Sequence, residues 1–245
     1  MSSIRLAVGI SMLGLTLSAA RACAQDDTWS TDLTKRTISM DEIVPGGPPK
    51  DGIPAIDRPT FDPVEQADRW LEAREPVAVV ELSGQAKAYP LQILVWHEIV
   101  NDVVGGIPVA VTYCPLCNTT IAFDRRFDGL VLDFGTTGFL RHSDLVMYDR
   151  QTETWWQQAT GEGLVGEYAR EELRFIGSPV VSWATFKQQY PDGQVLSQDT
   201  GHPEYADYYG RTPYVGYDAP ESSPWSIFGG SKDDRLPPQG ASRRR

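Results

Sequence analysis

Two cysteines, Cys114 and Cys117, lie three residues apart in the segment VTYCPLCNTT and could form a disulfide, cycle as a redox dithiol, or bind a metal. A disulfide across so short a loop stabilises a fold by only roughly 2 kcal/mol, so a purely structural bridge explains the pair weakly. The other two interpretations give the pair a chemical role. The cysteine spacing alone leaves all three open.

The residues around the cysteines predict a turn between two strands. In a thioredoxin-type dithiol the first cysteine begins a helix, whose dipole lowers the pKa of the thiol. Here IPVAVTY precedes the pair and TTIAF follows it, and both runs are strand-like. Asn118 tolerates the left-handed conformation that a tight turn needs. Such a turn directs both sulfurs to one point and supplies two of the four ligands usual for zinc.

His97 is the histidine that the sequence places best as a further ligand. The glycine pair at 105–106 predicts a hairpin in which residues whose numbers add to about 211 lie opposite each other, so His97 would face Cys114. Two soft thiolates with one imidazole suit copper, and zinc is the alternative metal. His97 and the two cysteines are also the candidate catalytic residues, with Asp102 or Glu98 orienting the imidazole.

The elements that position these residues are predicted to be mostly strands. Helical spacing is confined to residues 63–75 and to SWATFKQQYP, and Pro90 opens a short turn. Antiparallel hairpins are predicted over 77–89, 98–113, 119–135 and 144–158. Strands and helices do not alternate, which disfavours a doubly wound parallel sheet. The predicted fold class is α+β and β-rich: mostly antiparallel hairpins forming one sheet or a partial barrel, with a few short helices.

Four segments are predicted along the chain: a signal peptide over 1–24, an extended Pro/Gly-rich arm over 25–60, a β-rich core over 61–200 and a loop-rich flank over 201–245. The first segment ends in an A-x-A-like site, so we expect cleavage after Ala24 and a periplasmic or extracellular location. Acylation of Cys23, which would anchor a lipoprotein, is the alternative. The adjacent Arg21 disfavours it.

The charge of the chain excludes several partners. The formal net charge is −11, and loss of Arg5 and Arg21 with the signal peptide changes 22 basic residues against 33 acidic ones to 20 against 33, or −13. Such a surface repels nucleic acid and anionic membranes. No apolar run reaches the roughly 20 residues that a transmembrane segment needs. A small molecule, a metal or a redox partner is therefore expected, and the sequence does not fix an oligomeric state.

Long motifs of the sequence resemble a known bacterial and archaeal family. The stretches GQAKAYPLQILVWHEIVNDVVGGIPVAVTYCPLCNTTIAFDRR and SDLVMYDRQTETWWQQATGE, with similarity over roughly residues 50–236, resemble the family called domain of unknown function 3179. His142 stands where the family pattern suggests Asn, and members tend to continue beyond DDRLPP, so we expect a shortened C-terminus. The resemblance and the turn argument together give these supporting site residues: Glu98, Asn101, Asp102, Tyr113, Asn118, Asp144, Met147 and Asp149.

Two classes of function follow from these observations. The first is an exported protein whose Cys-Pro-Leu-Cys/His site binds a soft transition metal, copper before zinc, or acts as a redox dithiol. A thiol- or metal-dependent oxidoreductase is the enzyme class that this site suits. The second is a binding module for a glycan or protein, with a structural disulfide and an aromatic surface formed by Trp155, Trp156, Trp183, Tyr205, Tyr208, Tyr209, Tyr214 and Tyr217.

Overall fold

Short strands dominate the computed structural model, which describes residues 29–214. The strands in chain order are β1 (Ile43–Pro45), β2 (Phe61–Pro63), β3 (Pro76–Leu82), β4 (Gln85–Pro90), β5 (Ile99–Val104), β6 (Ile107–Cys114), β7 (Thr119–Asp124), β8 (Arg126–Phe127), β9 (Leu130–Val131), β10 (Phe134–Arg141), β11 (Asp144–Asp149), β12 (Trp155–Gln157), β13 (Gly163–Val165), β14 (Phe175–Ile176), β15 (Val180–Ser182) and β16 (Gln194–Leu196). The helices are α1 (Val64–Ala67), α2 (Leu91–His97), α3 (Trp183–Gln189) and the 3-10 helices Met40–Glu42 and Pro203–Tyr208.

The strands form antiparallel sheets, and the predicted β-rich α+β class is confirmed. The first sheet has the order β1-β10-β11-β12-β13, the second β14-β7-β6-β5, and the third β15-β3-β4-β16-β2. β8 and β9 form a separate hairpin. Only the β16–β4 pair is parallel among these described ladders. Many of the paired strands are neighbours in sequence and are joined by tight turns, so hairpins are the main unit of the fold.

The β5–β6 hairpin has the register that the glycine pair predicts. Its partners run from Val104 opposite Ile107 to Ile99 opposite Thr112. Gly105 has φ +55°, and a Cβ at this position would lie 2.2 Å from the carbonyl oxygen of Leu82. Only glycine fits that turn without displacing the neighbouring backbone. The hairpin therefore fixes where β6 delivers Cys114.

The first two sheets are joined around Asn101 of β5. Its side-chain oxygen accepts a hydrogen bond from the Phe134 N–H at 3.0 Å, and its Nδ2 donates to the Phe134 carbonyl oxygen at 2.8 Å. A buried apolar cluster continues from this point and contains Cys114, Met147 and Trp156. Cys114 therefore lies where β6 approaches the sheet that carries Asp144.

The segment before β2 contributes directly to these sheets. β1 pairs with β10, and Ile56 forms an isolated parallel bridge with Val100. Ala55 and Ile56 are buried. The predicted signal peptide, 1–24, lies outside the described residues, as does most of the predicted C-terminal flank. In the described part of the chain, no helix is both long and apolar enough to span a bilayer.

Candidate functional site

The two cysteines lie at a β-turn, as the flanking residues predict: Cys114 ends the strand before the turn, and Cys117 lies within the turn. β6 ends at Cys114, which pairs with Thr119 of β7, and residues 115–118 form the turn. Asn118 has φ +47°, and its side-chain oxygen accepts a hydrogen bond from the Tyr113 hydroxyl at 3.0 Å. Cys117 does not begin a helix, which excludes a thioredoxin-type position for the pair.

A carboxylate, rather than a histidine, completes the cluster around the two sulfurs. The sulfurs of Cys114 and Cys117 and a carboxylate oxygen of Asp144 all lie within 4.8 Å of one another. The Cys117 thiol donates to Asp144 Oδ1 at 3.1 Å. Both thiols are free, with Cys114 buried and Cys117 exposed. The three side chains offer two sulfur ligands and one oxygen ligand to a single point.

Asp144 reaches the cysteines through a strained turn between β10 and β11. Arg141 pairs with Asp144 across this hairpin, and the two residues between them, His142 and Ser143, have φ of +54° and +63°. Two central residues of positive φ are typical of a type I′ turn, which usually contains Asn or Gly. The Ser143 carbonyl oxygen lies 3.9 Å from the Cys114 sulfur, so this turn closes directly over the buried thiol.

Two donors hold the Asp144 carboxylate in place. Its Oδ2 accepts hydrogen bonds from the Ala159 N–H at 2.9 Å and from the Gln157 side-chain amide. Gln157 in turn accepts from the Arg141 guanidinium at 3.2 Å. These bonds occupy one oxygen and leave Oδ1 directed at Cys117. The carboxylate is therefore preorganised for the sulfurs.

Glu98 adds a second buried carboxyl group to this region. It follows α2 with φ +57°, and its carbonyl oxygen accepts a hydrogen bond from the Tyr113 N–H at 2.7 Å. Burial, followed by the charge of Asp144, raises the pKa of Glu98 to about 8. A cavity of about 30 Å³ beside it is lined in part by Leu116 and Leu145, so its surroundings are largely apolar.

The electrostatic environment of the thiols is acidic. A hydrogen bond with Cys117, burial, and the charges of Cys117 and Asp144 raise the pKa of Cys114 well above its usual range. Reactive thiolates are usually found beside basic groups or helix N-termini. The opposite arrangement here favours the protonated form of Cys114.

The prediction that His97 lies on a strand opposite Cys114 is wrong. The hairpin register is right, but the strand begins at Ile99, and His97 is the last residue of α2. Its Nδ1 lies 2.8 Å from the Pro54 carbonyl oxygen and its Nε2 2.8 Å from the Tyr209 hydroxyl. A carbonyl only accepts, so the neutral ring carries its hydrogen on Nδ1 and accepts from Tyr209 at Nε2. Both nitrogens are occupied away from the cysteines.

Replacing His97 with Phe should lower the free energy of unfolding by roughly 1–3 kcal/mol, because both hydrogen bonds are lost and two partly buried polar groups, on Pro54 and Tyr209, lose a partner. Affinity for metal at the cysteines should not change. Urea unfolding and metal titration of both proteins measure the two effects. His202→Phe is the control, since His202 packs on His97 with ring centroids 5.2 Å apart and forms no hydrogen bond to it. A large loss of metal affinity in His97→Phe would restore the histidine to the site.

The remaining supporting residues have other partners. Asp102 accepts hydrogen bonds from Lys87 and Tyr89, and Asp149 accepts from the Trp156 indole at 2.9 Å. Met147 is fully buried in the apolar cluster that contains Cys114. These contacts are sufficient to explain the burial of all three side chains. Of the predicted supporting residues, Asp144 is the one that the structure brings within ligand distance of the thiols.

The aromatic surface proposed for a binding module is only partly present. Trp155, Trp156 and Trp183 are buried in the core, so these three do not form a platform. Tyr217 lies outside the described residues. Tyr205 and Tyr208 do line an open cavity, together with Trp96, which the sequence did not single out.

Gln157 is the site residue that the sequence interpretation missed. The β11–β12 hairpin pairs Val146 with Gln157. Extending this register places residue 159 opposite Asp144 and Gln157 two residues away on the same strand, so the register could have identified Gln157 as a neighbour of Asp144. The residue-number rule that gives the register of β5 and β6 would therefore also have found this neighbour.

Most of the chain matches a family model. The model described as Protein of unknown function (DUF3179) matches residues 50–241, which is well over half of the chain. The chain belongs to this family. Every residue of the cysteine–carboxylate cluster in this DUF3179 protein falls inside the matched range. The chain matches none of the curated proteins and none of the solved structures. The description of DUF3179 states no activity, so any function has to be argued from the site.

Proposed function

We propose that this DUF3179 protein binds a divalent transition metal through Cys114, Cys117 and Asp144. The convergence of two sulfurs and one carboxylate oxygen within 4.8 Å is the observation that supports this proposal most. Zinc accepts cysteine and aspartate ligands together. With His97 engaged elsewhere, the argument for copper from an imidazole ligand no longer applies, and zinc becomes the preferred metal.

The charges of the site explain why a cation would bind there. Two thiols, the Asp144 carboxylate and the buried Glu98 carboxyl lie together, and the charge of Asp144 raises the pKa values of both Cys114 and Glu98. A metal displaces the thiol protons and supplies the missing positive charge. Without a metal, the acidic groups avoid mutual repulsion only by staying protonated. A bound metal ion would neutralise them instead.

Three protein ligands leave a fourth position on a tetrahedral ion, which is the arrangement of catalytic rather than structural zinc. Cys117 is exposed, so solvent and small molecules reach this side of the cluster. Glu98 lies near enough to Asp144 for the negative charge of Asp144 to raise the pKa of Glu98. We therefore propose an accessible metal centre with an acidic neighbour in an exported protein, the leader being residues 1–24.

Metal titration tests this proposal. Cys114→Ser and Asp144→Asn should each weaken zinc binding by at least about 100-fold, since even outer partners of a metal ligand account for 10–100-fold. Asp192→Asn, which changes an exposed carboxylate, should bind zinc as the parent does. The measurement is competition against a chromophoric chelator, with metal content determined on purified protein. A parent that binds neither zinc nor copper at micromolar concentrations excludes the metal centre.

A redox dithiol is the second candidate, supported by one buried and one exposed thiol that lie close together. In this reaction the Cys117 sulfur attacks a disulfide of the oxidant, which forms a mixed disulfide and releases one thiol of the oxidant. The Cys114 sulfur then attacks the Cys117 sulfur, which releases the second thiol of the oxidant and leaves a Cys114–Cys117 disulfide, so the pair loses two electrons and two protons and the oxidant gains them. The raised pKa of Cys114 opposes formation of the thiolate that would close the Cys114–Cys117 disulfide. Thiol titration of the metal-free parent in buffers of different reduced-to-oxidised glutathione ratio tests this candidate. A reversible change from two free thiols to none would favour it.

A further inference from the structure

An open cavity of about 650 Å³ is lined by residues 51–54, by Trp96 of α2 and by the 3-10 helix Pro203–Tyr208. Small-molecule sites commonly have volumes of roughly 300–1,000 Å³. Its lining residues are Asp51, Gly52, Pro54, Trp96, Glu204, Tyr205 and Tyr208. None of them belongs to the cysteine–carboxylate cluster.

Three aromatic rings form one side of this cavity. The centroid of Trp96 lies 5.0 Å from that of Tyr208 and 6.2 Å from that of Tyr205, and the two tyrosine rings are 6.2 Å apart. The indole N–H donates to the Arg211 carbonyl oxygen at 3.1 Å, which fixes the orientation of Trp96. Tyr208 is 46% exposed, a large fraction for a ring in a cluster. Ring faces are therefore available to a ligand.

Buried contacts hold these rings in position. His97 packs beneath Tyr205, with ring centroids 5.0 Å apart, and accepts from Tyr209. The Tyr209 oxygen in turn lies 2.7 Å from the Thr200 hydroxyl. These contacts attach the 3-10 helix to the end of α2, so the aromatic side of the cavity is formed before any ligand arrives.

The ionisable side chains lining the cavity, apart from the tyrosines, are both acids. Asp51 is partly neutralised, because it accepts a hydrogen bond from Tyr148 and lies 3.7 Å from Arg150. Glu204 is 62% exposed, and the His202 Nδ1 lies 3.5 Å from its carboxylate. The whole chain carries a formal charge of −11. Cations are therefore attracted to the cavity and anions repelled.

We propose that this cavity binds a methylated ammonium group. Aromatic faces attract such cations and, because the group has few or no N–H donors, the rings need not supply hydrogen-bond acceptors. Glu204 adds a carboxylate at the edge of the ring cluster. A primary ammonium is more strongly hydrated and needs three acceptors, whereas the three rings offer faces and the exposed Glu204 offers a single carboxylate. The group could belong to a free metabolite or to a choline headgroup on a membrane.

Calorimetric titration with choline tests the proposal, with 3,3-dimethyl-1-butanol as the uncharged molecule of the same shape. We expect choline to bind with a dissociation constant near 1 mM or below and the alcohol to bind about ten-fold more weakly or not at all. Trp96→Ala and Tyr208→Ala should each weaken choline about ten-fold or more, and Glu204→Gln less. Equal binding of choline and the alcohol, or no choline binding at about 10 mM, would overturn the proposal.

Controls separate the site from general loss of structure. Phe175→Ala removes an exposed aromatic ring outside the cavity and should bind choline as the parent does. Trp96→Phe keeps a ring face and should retain most of the affinity for choline. It replaces Trp96→Ala as the test variant if Trp96→Ala fails to fold. A Phe175→Ala variant as weak as Trp96→Ala would contradict the assignment. Sedimentation with phosphatidylcholine vesicles distinguishes the two sources: co-sedimentation that choline competes away indicates the lipid headgroup, and choline binding without co-sedimentation indicates a free cation.

Discussion

Replacing Asp102 with Asn should lower the free energy of unfolding by roughly 3–5 kcal/mol, because a buried ammonium group loses its countercharge. Lys87 and Asp102 are both buried, and the Lys87 ammonium donates to the two carboxylate oxygens at 3.1 and 2.9 Å. Tyr89 donates to the same carboxylate at 2.7 Å. The pair joins β4 of the third sheet to β5 of the second, so its loss should weaken their attachment. Urea unfolding at neutral pH measures the change.

The double variant Lys87→Met/Asp102→Asn is the matched control for this prediction. Replacing a buried ion pair by uncharged side chains is often neutral or stabilising, so the double variant should recover most of the lost stability. The asparagine oxygen can still accept from Tyr89. Zinc binding at the cysteines should be unchanged in both proteins. A single variant within about 1 kcal/mol of the parent would mean that the ammonium finds other acceptors, beyond the Val103 carbonyl oxygen at 3.0 Å.

The hairpins of this protein could be predicted from the sequence because turn residues and strand periodicity are local signals. The glycine pair at 105–106 fixed the register of β5 and β6 to the residue. The same local reasoning placed the cysteines at a β-turn and Asn118 at positive φ. These features depend on a few neighbouring residues, so a sequence pattern contains most of the information that determines them.

His97 shows where that local reasoning failed. Pro90 has φ −62°, which suits a helix start, and the apolar residues Ile93 and Leu94 are buried on one side of the resulting helix. The helix therefore extends through His97, and Glu98 reverses the chain in the left-handed conformation before β5 begins. A short apolar run gives no periodicity that distinguishes a two-turn helix from a strand, and here tertiary packing decided between them.

Asp144 shows what the sequence could not supply on its own. Its approach to Cys117 depends on the packing of the β10–β11 hairpin against the β6–β7 hairpin, which are separate units in sequence. The positive φ of His142 and Ser143 is also unexpected for residues of these types. The family resemblance identified Asp144 as a candidate, but only the tertiary structure gives it a position beside the thiols.

Replacing Glu98 with Gln should stabilise the metal-free protein by up to roughly 5 kcal/mol at pH 8 and above, and by little near pH 4.5. The folded protein holds the pKa of this carboxyl at about 8, whereas its ordinary value is 4.5. Between those values the folded state keeps a proton that the unfolded state has released. Stability of the parent therefore falls as pH rises through this window and levels off above it. Glutamine stays neutral at every pH and removes the loss.

Thermal unfolding in the presence of chelator, at pH 5 and pH 8.5, measures this difference. The variant should gain on the order of 10 °C at the higher pH, since 1 kcal/mol corresponds to about 2–4 °C in a protein of this size. Glu72→Gln changes an exposed carboxyl and should show no such gain. An equal gain at both pH values would indicate better packing rather than a suppressed ionisation. Because the charge of Asp144 contributes to the shift, Asp144→Asn should reduce the gain, which ties the effect to the cysteine–carboxylate cluster.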